Sequence, residues 1–270
     1  MEDKKSKIAD LASSVKDEVI SSVVECDAFP EVVKDIASEV LSEGAAGVVG
    51  SVLGALAPRA HGVILGYKEA RFERNVLLML EEMNKRISKI DEKLISLPDK
   101  VRQQFQTEYA SWLLDCVYDE KQTTKIPYYI KGFVGMMEED TTDDAMLMFL
   151  DTLSQLTTLD LRVLGMYGFN DENIYSVMED FSVDNAEITV SKEKLVRFGL
   201  LQRKNDIQRD ANIDSVVEYL TKVSKESKKS KPKEIKLSGV KKISGTESYK
   251  TTGLGYKYLK RLEISSTIEQ

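Results

Sequence analysis

The stretch Ser191-Lys192-Glu193-Lys194-Leu195-Val196-Arg197-Phe198-Gly199-Leu200-Leu201-Gln202-Arg203-Lys204 decides how the C-terminal third of the chain is read. Ser191 is a residue type that caps a helix, and Gly199 is one that ends it, so the spacing predicts a helix from Lys192 to Phe198. Leu200 and Leu201 then lead into Gln202-Arg203-Lys204, a predicted strand. Its returning partner is Ser248-Tyr249-Lys250-Thr251, after which Thr252 caps a last helix carrying Leu254, Tyr258, Leu259 and Leu262. Upstream, Thr157-Thr158-Leu159-Asp160 opens a helix that Gly168 closes, and Ile174, Val177 and Met178 mark a second. Ile188-Thr189-Val190, being β-branched, reads as a short extended segment. Three helices, a two-stranded wing and a closing helix make residues 157–264 a winged helix-turn-helix.

The wing carries an insert at 207–245, longer than ordinary loops. Ile213 to Val223 has helical spacing at Val216, Val217 and Leu220. The part from Ser224 to Lys242 holds eight lysines against two glutamates. Such a segment suits a phosphate-rich partner. Lys192, Lys194, Arg197 and Arg203, with Lys228, Lys229, Lys231 and Lys233 of the insert, are therefore the candidates for an anionic partner. Lysine without interleaved aromatics supplies affinity but no base readout, and the helix in the recognition position offers no Asn or Gln for adenine. A nucleic-acid partner is open here, and so is a protein one.

Ahead of this lies a helical body, residues 67–156. Val76, Leu80, Met83, Ile87, Ile90, Leu94 and Leu97 alternate steps of four and three, an a/d seam of about three heptads that Pro98 ends. One long coiled-coil-like helix within an intramolecular bundle is predicted. Val76, Leu80, Met83, Ile87, Ile90 and Leu94 are the self-association candidates should the seam also join two copies. Val101, Phe105, Tyr109, Trp112, Leu113 and Val117 form the next stripe, and Ile126-Pro127 opens another helix running to Met137. Asp140-Thr141-Thr142-Asp143-Asp144 is a capping cluster before Met146, Phe149, Leu150, Leu153 and Leu156; without the Gly and closing Glu of an EF-hand it is no calcium loop.

Residues 1–66 begin with a mixed-charge start and no apolar core of a secretory signal, and with only two Cys in the chain a cytoplasmic location is expected. Ile8, Leu11, Val15, Val19 and Val23 predict one amphipathic helix, and Val32 to Leu41 a second. Gly44, Gly47, Gly50 and Gly54 then share one helical face in a largely apolar stretch, 44–67. Small residues on one face allow another backbone to approach closely. The uncharged run is shorter than the roughly 20 residues of a spanning helix, and Arg59 interrupts the stretch. A packed core helix, an interfacial segment with peripheral membrane contact, and conditional inner-membrane insertion all remain open.

Charge divides the chain. Its 270 residues carry 38 basic and 45 acidic groups for a net −7. Residues 1–190 hold 19 basic against 35 acidic, and 191–263 hold 19 against 9. The two ends should thus meet different partners. One His, His61, and two Cys, Cys26 and Cys116, leave no multi-His metal site, zinc ribbon or disulfide scaffold. Gly253-Leu254-Gly255 lacks the rest of a dinucleotide fingerprint. Glu234-Ile235-Lys236 has the E-x-K form of a nuclease but lies in a lysine-rich tract where that triplet arises easily. No cofactor, small-molecule substrate or catalytic set is inferred.

Four stretches carry a family resemblance: Tyr67-Lys68-Glu69-Ala70-Arg71-Phe72-Glu73-Arg74, Leu153 to Asp160, Leu195-Val196-Arg197-Phe198-Gly199-Leu200-Leu201, and Tyr249 to Leu259. In these the chain resembles bacterial and prophage abortive-infection proteins of the alpha type, which join a helical N-terminal region to a winged-helix-like part. The resemblance implies a role in defence against phage and departs from the family at the lysine-rich insert. The expected function is non-enzymatic defence through membrane or partner-protein contact. A winged-helix DNA-binding regulator and a dimeric adaptor are the alternatives.

Overall fold

A computed structural model describes residues 67–264 except 139, 170–172, 230 and 232. The two N-terminal helices, the glycine-spaced segment with Gly44, Gly47, Gly50 and Gly54, and His61 lie outside the described residues. The chain is mainly helical with one two-stranded antiparallel sheet. It divides into two units, one of residues 1–158 with 260–264 and one of residues 159–259 with 265–270.

In the first unit, α1 (Tyr67–Asn84) and α2 (Ile87–Ser96) replace the single long helix expected from the heptads. The break falls at Lys85–Arg86, where the Arg86 amide bonds back three residues to Met83 at 3.0 Å. At the break the buried Glu82 carboxylate pairs with Arg86 and with Lys85, 3.4 Å away, while Arg86 and Lys89 both reach Glu263. The seam residues Val76, Leu80, Met83, Ile90 and Leu94 are buried by the chain itself, and Ile87 is half-buried. The coiled-coil-like helix is thus corrected to two bundle helices, whose apolar face, widened by Met79, lies in the core.

Helix α3 (Asp99–Gln106) and α4 (Glu108–Asp119) divide the next stripe at Thr107. A 3₁₀ turn, Thr123–Lys125, leads to α5 (Ile126–Gly135), with Pro127 in its first turn where a missing N–H costs nothing. Thr142 caps α6 (Asp143–Gln155) by accepting from the Ala145 amide at 3.3 Å, as the capping cluster predicts. Helix α4 packs against α1, α3, α5 and α6 and so forms the centre of the bundle. Phe105, Tyr109 and Phe133 meet edge to face there, with centroids 4.9 and 5.5 Å apart.

Burial, with Asp115 adding to it, pushes the Cys116 thiol up to about 11 from its ordinary 9.0. Ellman's reagent at pH 8 is therefore expected to label Cys116 slowly in the folded Cys26→Ser chain and rapidly in urea, because the thiolate is the nucleophile. Equal rates would contradict this burial. The unfolded thiol loses its proton first, so this group lowers stability as pH rises from about 9 towards 11.

The second unit starts with α7 (Thr158–Phe169), α8 (Ile174–Phe181) and α9 (Asn185–Arg197). Helix α7 runs one residue past Gly168, at which a Cβ would overlap the tip of Leu259. Ile188-Thr189-Val190 is helical, not extended, and Ser191 lies inside α9 instead of capping it. A capping box decides this: the Asp184 carboxylate accepts from the Ala186 and Glu187 amides at 2.7 and 3.1 Å, and Glu187 accepts from the Asp184 amide at 2.9 Å. With that start, Ile188, Ser191 and Leu195 fall on one buried face, and burial outweighs the β preference of the branched residues. Gly199 at φ +70° ends α9, with the Leu200 amide bonding back to Leu195 at 2.9 Å as in a Schellman motif.

Strand β1 (Leu201–Arg203) pairs antiparallel with β2 (Tyr249–Thr251), Gln202 facing Lys250. Lys204 is not the end of the strand but the start of α10 (Lys204–Glu226), which is much longer than the Ile213–Val223 spacing predicts. Thr252 caps α11 (Gly253–Arg261) by accepting from the Gly255 amide at 3.0 Å. Leu161, Val163, Leu164, Val177, Ile188, Leu195, Leu200, Leu201, Tyr258 and Leu259 are the buried apolar residues of this unit.

Candidate functional site

The basic residues of the second unit fall into two chemically different groups. Those of α9 and β1 are largely engaged within the unit. Lys194 Nζ is 2.7 Å from the buried Asp160 carboxylate, which also accepts from Ser191 Oγ at 2.7 Å. Lys192 Nζ stands 5.8 and 5.7 Å from the ring centroids of Tyr167 and Tyr249, and burial holds its ammonium below the usual lysine range. Arg203 holds both oxygens of Glu193, and its other arm lies 3.5 Å from Asp206. Arg197 alone of these four is exposed and makes no ion pair among the described residues.

Glu193 is the hub that joins α9 to the sheet. Besides Arg203 it accepts from Tyr249 Oη at 2.8 Å. The Arg203 guanidinium holds its carboxyl below the ordinary 4.5, against a smaller opposing effect of burial. Burial first, and the Glu193 bond second, push the Tyr249 phenol up to about 12. The stability that Glu193 contributes is therefore present above its unfolded value near 4.5 and is lost as pH falls through its lower folded value. A gap in melting temperature between wild type and Glu193→Gln at pH 7 should close on acidification below that value. A gap that persisted unchanged at low pH would show that the carboxylate's charge plays no part.

The insert is the opposite case. Helix α10 has 23 residues, about 34 Å, and none is buried. Ile213, Val216, Val217, Leu220 and Val223 are 37–57% exposed, and the 3.6-residue repeat puts them on about a third of the circumference. The segment returning from α10 covers a neighbouring face. Asn212 exchanges two bonds with the Lys241 backbone, at 2.7 and 2.8 Å, and a Cβ at Gly239 would lie 2.9 Å from Ser215 Oγ. Gly239 sits at φ +87°, where a side chain is disfavoured twice over. Leu237 and Val240 are about half exposed.

Lys228, Lys229, Lys231 and Lys233 are all exposed. Lys229 pairs with Glu226 at 2.6 Å, and the Lys233 amide bonds to the other oxygen of that carboxylate at 3.1 Å, which fixes the turn after α10. The sequence brought all eight basic candidates forward equally, whereas the fold separates them into internal partners and outward-facing charge. The apolar stripe was legible as a helix, but nothing in its spacing showed that it stays uncovered. Glu234 and Lys236 of the E-x-K triplet are exposed, and among the described residues no group of three His, Cys, Asp or Glu is placed to hold a metal ion. No family model, curated protein or solved structure matches the chain.

Proposed function

We propose that the chain is a non-enzymatic defence protein of the abortive-infection type that works by contact. Its C-terminal unit is read as winged-helix-like, with the long insert as the contact element towards a phosphate-bearing macromolecular surface. The order helix, helix, helix, strand, strand, helix in 158–261, with α10 inserted between the two strands, supports the winged-helix reading. The defence role rests on the sequence resemblance.

One observation carries the choice of contact element. Lys192, Lys194 and Arg203 of α9 and β1 are engaged within the unit, while Lys228, Lys231 and Lys233 face outward beyond α10. Engaging DNA phosphates with Lys194 would draw the ammonium away from the buried Asp160 carboxylate, which is costly. The insert pays no such penalty. Among the described residues no helix is long and apolar enough to cross a membrane; contact through 44–67 stays a separate proposal for residues outside the description.

The test is binding of the full chain to labelled DNA, RNA and anionic vesicles across a salt series. Binding at low salt should fall steeply as salt rises. Reversing Lys228, Lys231 and Lys233 to Glu should weaken it about tenfold or more, while Arg197→Glu changes it by no more than about twofold. The reverse ranking would move the contact to α9.

A further inference from the structure

We infer that the exposed acidic face of α4 and α6 is a docking surface for the lysine-bordered returning segment, 236–242, of a second copy of this chain. Neither helix carries a Lys or Arg. Between them they carry six carboxylates, Glu108, Asp115, Asp119, Asp143, Asp144 and Asp151, all exposed. By the helical repeat, Glu108, Trp112, Asp115 and Asp119 fall within about 60° of the circumference of α4. Asp144, Leu147, Met148 and Asp151 fall within about 100° of that of α6. The two helices pack against each other. Tyr109 Oη donates to Asp143 at 2.5 Å near one end, and Cys116, towards the other, is acted on by Asp151 of α6 as well as by Asp115 and Asp119. The two stripes therefore run in the same direction, over about 17 Å from Glu108 to Asp119. Apolar groups lie inside this acidic frame: Leu147 and Met148 are 45% and 55% exposed, and Trp112 is half-buried.

Glu108, Asp119, Asp144 and Asp151 form no ion pair among the described residues. Nor do the carboxylates converge, since among the described residues no three of them are placed to hold a metal ion. Charges spread along a strip with apolar side chains between them suit a cationic polypeptide segment and not a small ion. An anionic lipid or nucleic acid is repelled by the same carboxylates. The chain itself supplies a segment of the required chemistry. Residues 1–190 hold 35 acidic against 19 basic groups, whereas 191–263 hold 19 basic against 9 acidic. Within the basic part, Leu237 and Val240 are about half exposed and are bordered by Lys236, Lys241 and Lys242. These three lysines are exposed and form no ion pair among the described residues. The two bonds between Asn212 and the Lys241 backbone hold the segment on α10 in advance, which lowers the ordering cost of binding. Opposite charge and matching apolar groups thus stand on different surfaces of one chain, the arrangement of a heterologous contact between copies. The contact leaves Lys228, Lys231 and Lys233 outside it, so it does not rest on the proposed anionic contact.

Sedimentation velocity of the full chain across the micromolar range tests this. Wild type is expected to self-associate at about 50 mM salt and to dissociate at about 500 mM, where charges are screened within a few ångströms. Asp119→Lys with Asp151→Lys should weaken association about tenfold or more, as should Lys236→Glu with Lys241→Glu and Lys242→Glu. All five side chains are exposed, so melting temperatures should stay close to that of wild type. Mixing the two variants sets opposite charges against each other again and should restore the association that neither shows alone. A wild-type chain that stays monomeric at low salt overturns the inference, including one in which the segment folds back on its own chain. Association indifferent to both sets of reversals overturns it too, as does a mixture of the two variants that fails to associate. Self-association by a chain that binds no labelled DNA, RNA or vesicle supports this inference and removes the anionic contact, so the two failures are told apart.

Discussion

Lys125→Ala is expected to destabilise the first unit by about 3 kcal/mol, seen as a fall in the urea midpoint followed through Trp112, the only Trp. Lys125 is a lysine at 1% exposure, on the last residue of the 3₁₀ turn ahead of α5. Its Nζ lies 2.6 Å from the Glu120 carboxylate, donates to the Ser154 carbonyl at 3.1 Å and stands 5.3 Å from the Tyr129 ring centroid. Glu120 is itself buried and accepts from Tyr129 Oη and from the Lys121 and Gln122 amides. Removing the ammonium leaves a buried carboxylate with hydrogen bonds but without its counter-charge. The cost should sit at the lower end of the range for a broken buried pair because three donors remain. Removing both charges together, as Lys125→Met with Glu120→Gln, should cost less than the single change. A single variant within about 0.5 kcal/mol of wild type would show that water reaches the pair.

Gly255→Ala is expected to cost the second unit a similar amount, about 3 kcal/mol, for a steric reason. A Cβ there would overlap the Leu200 carbonyl oxygen and lie 2.8 Å from Thr251 Cγ2. That carbonyl accepts from the Thr252 amide at 3.1 Å and anchors the corner where β2 turns into α11. Backbone cannot step aside as a side-chain tip can, so the corner must open. Gly253 lies two residues earlier in the same helix, and a Cβ added there meets nothing within 4 Å. Gly253→Ala should therefore be neutral or stabilise by up to about 1 kcal/mol. Thermal melts of the two variants decide it, and equal melting temperatures would contradict the close approach.

Much of this architecture is written in local chemistry. Pro127, Thr142, Gly199 and Thr252 act on their own turns, so each boundary they mark is readable one residue at a time. The misreadings have physical causes. Ile188-Thr189-Val190 is β-branched, and its helical fate is set by Asp184 and Glu187, a D-x-x-E capping box present in the sequence and outranked in the reading by composition. The heptad run Val76–Leu97 has no proline or glycine at its break, so nothing local in the sequence marks the turn at Lys85–Arg86. The pairing of Lys194 with Asp160, 34 residues apart, and of Arg203 with Glu193 follows from tertiary placement, which charge counting does not see. Likewise Ile213, Val216 and Leu220 announce an amphipathic helix, yet amphipathicity is silent on whether another element covers its apolar face.

That uncovered, lysine-flanked insert is the proposed contact element, and phage challenge of cells producing the full chain tests the proposal most directly. Wild type and the Lys228→Glu, Lys231→Glu, Lys233→Glu variant would be compared at matched protein level and matched melting temperature. Protection by wild type and its loss in the variant is the expected result. Undiminished protection by the variant, or none by wild type, would contradict it.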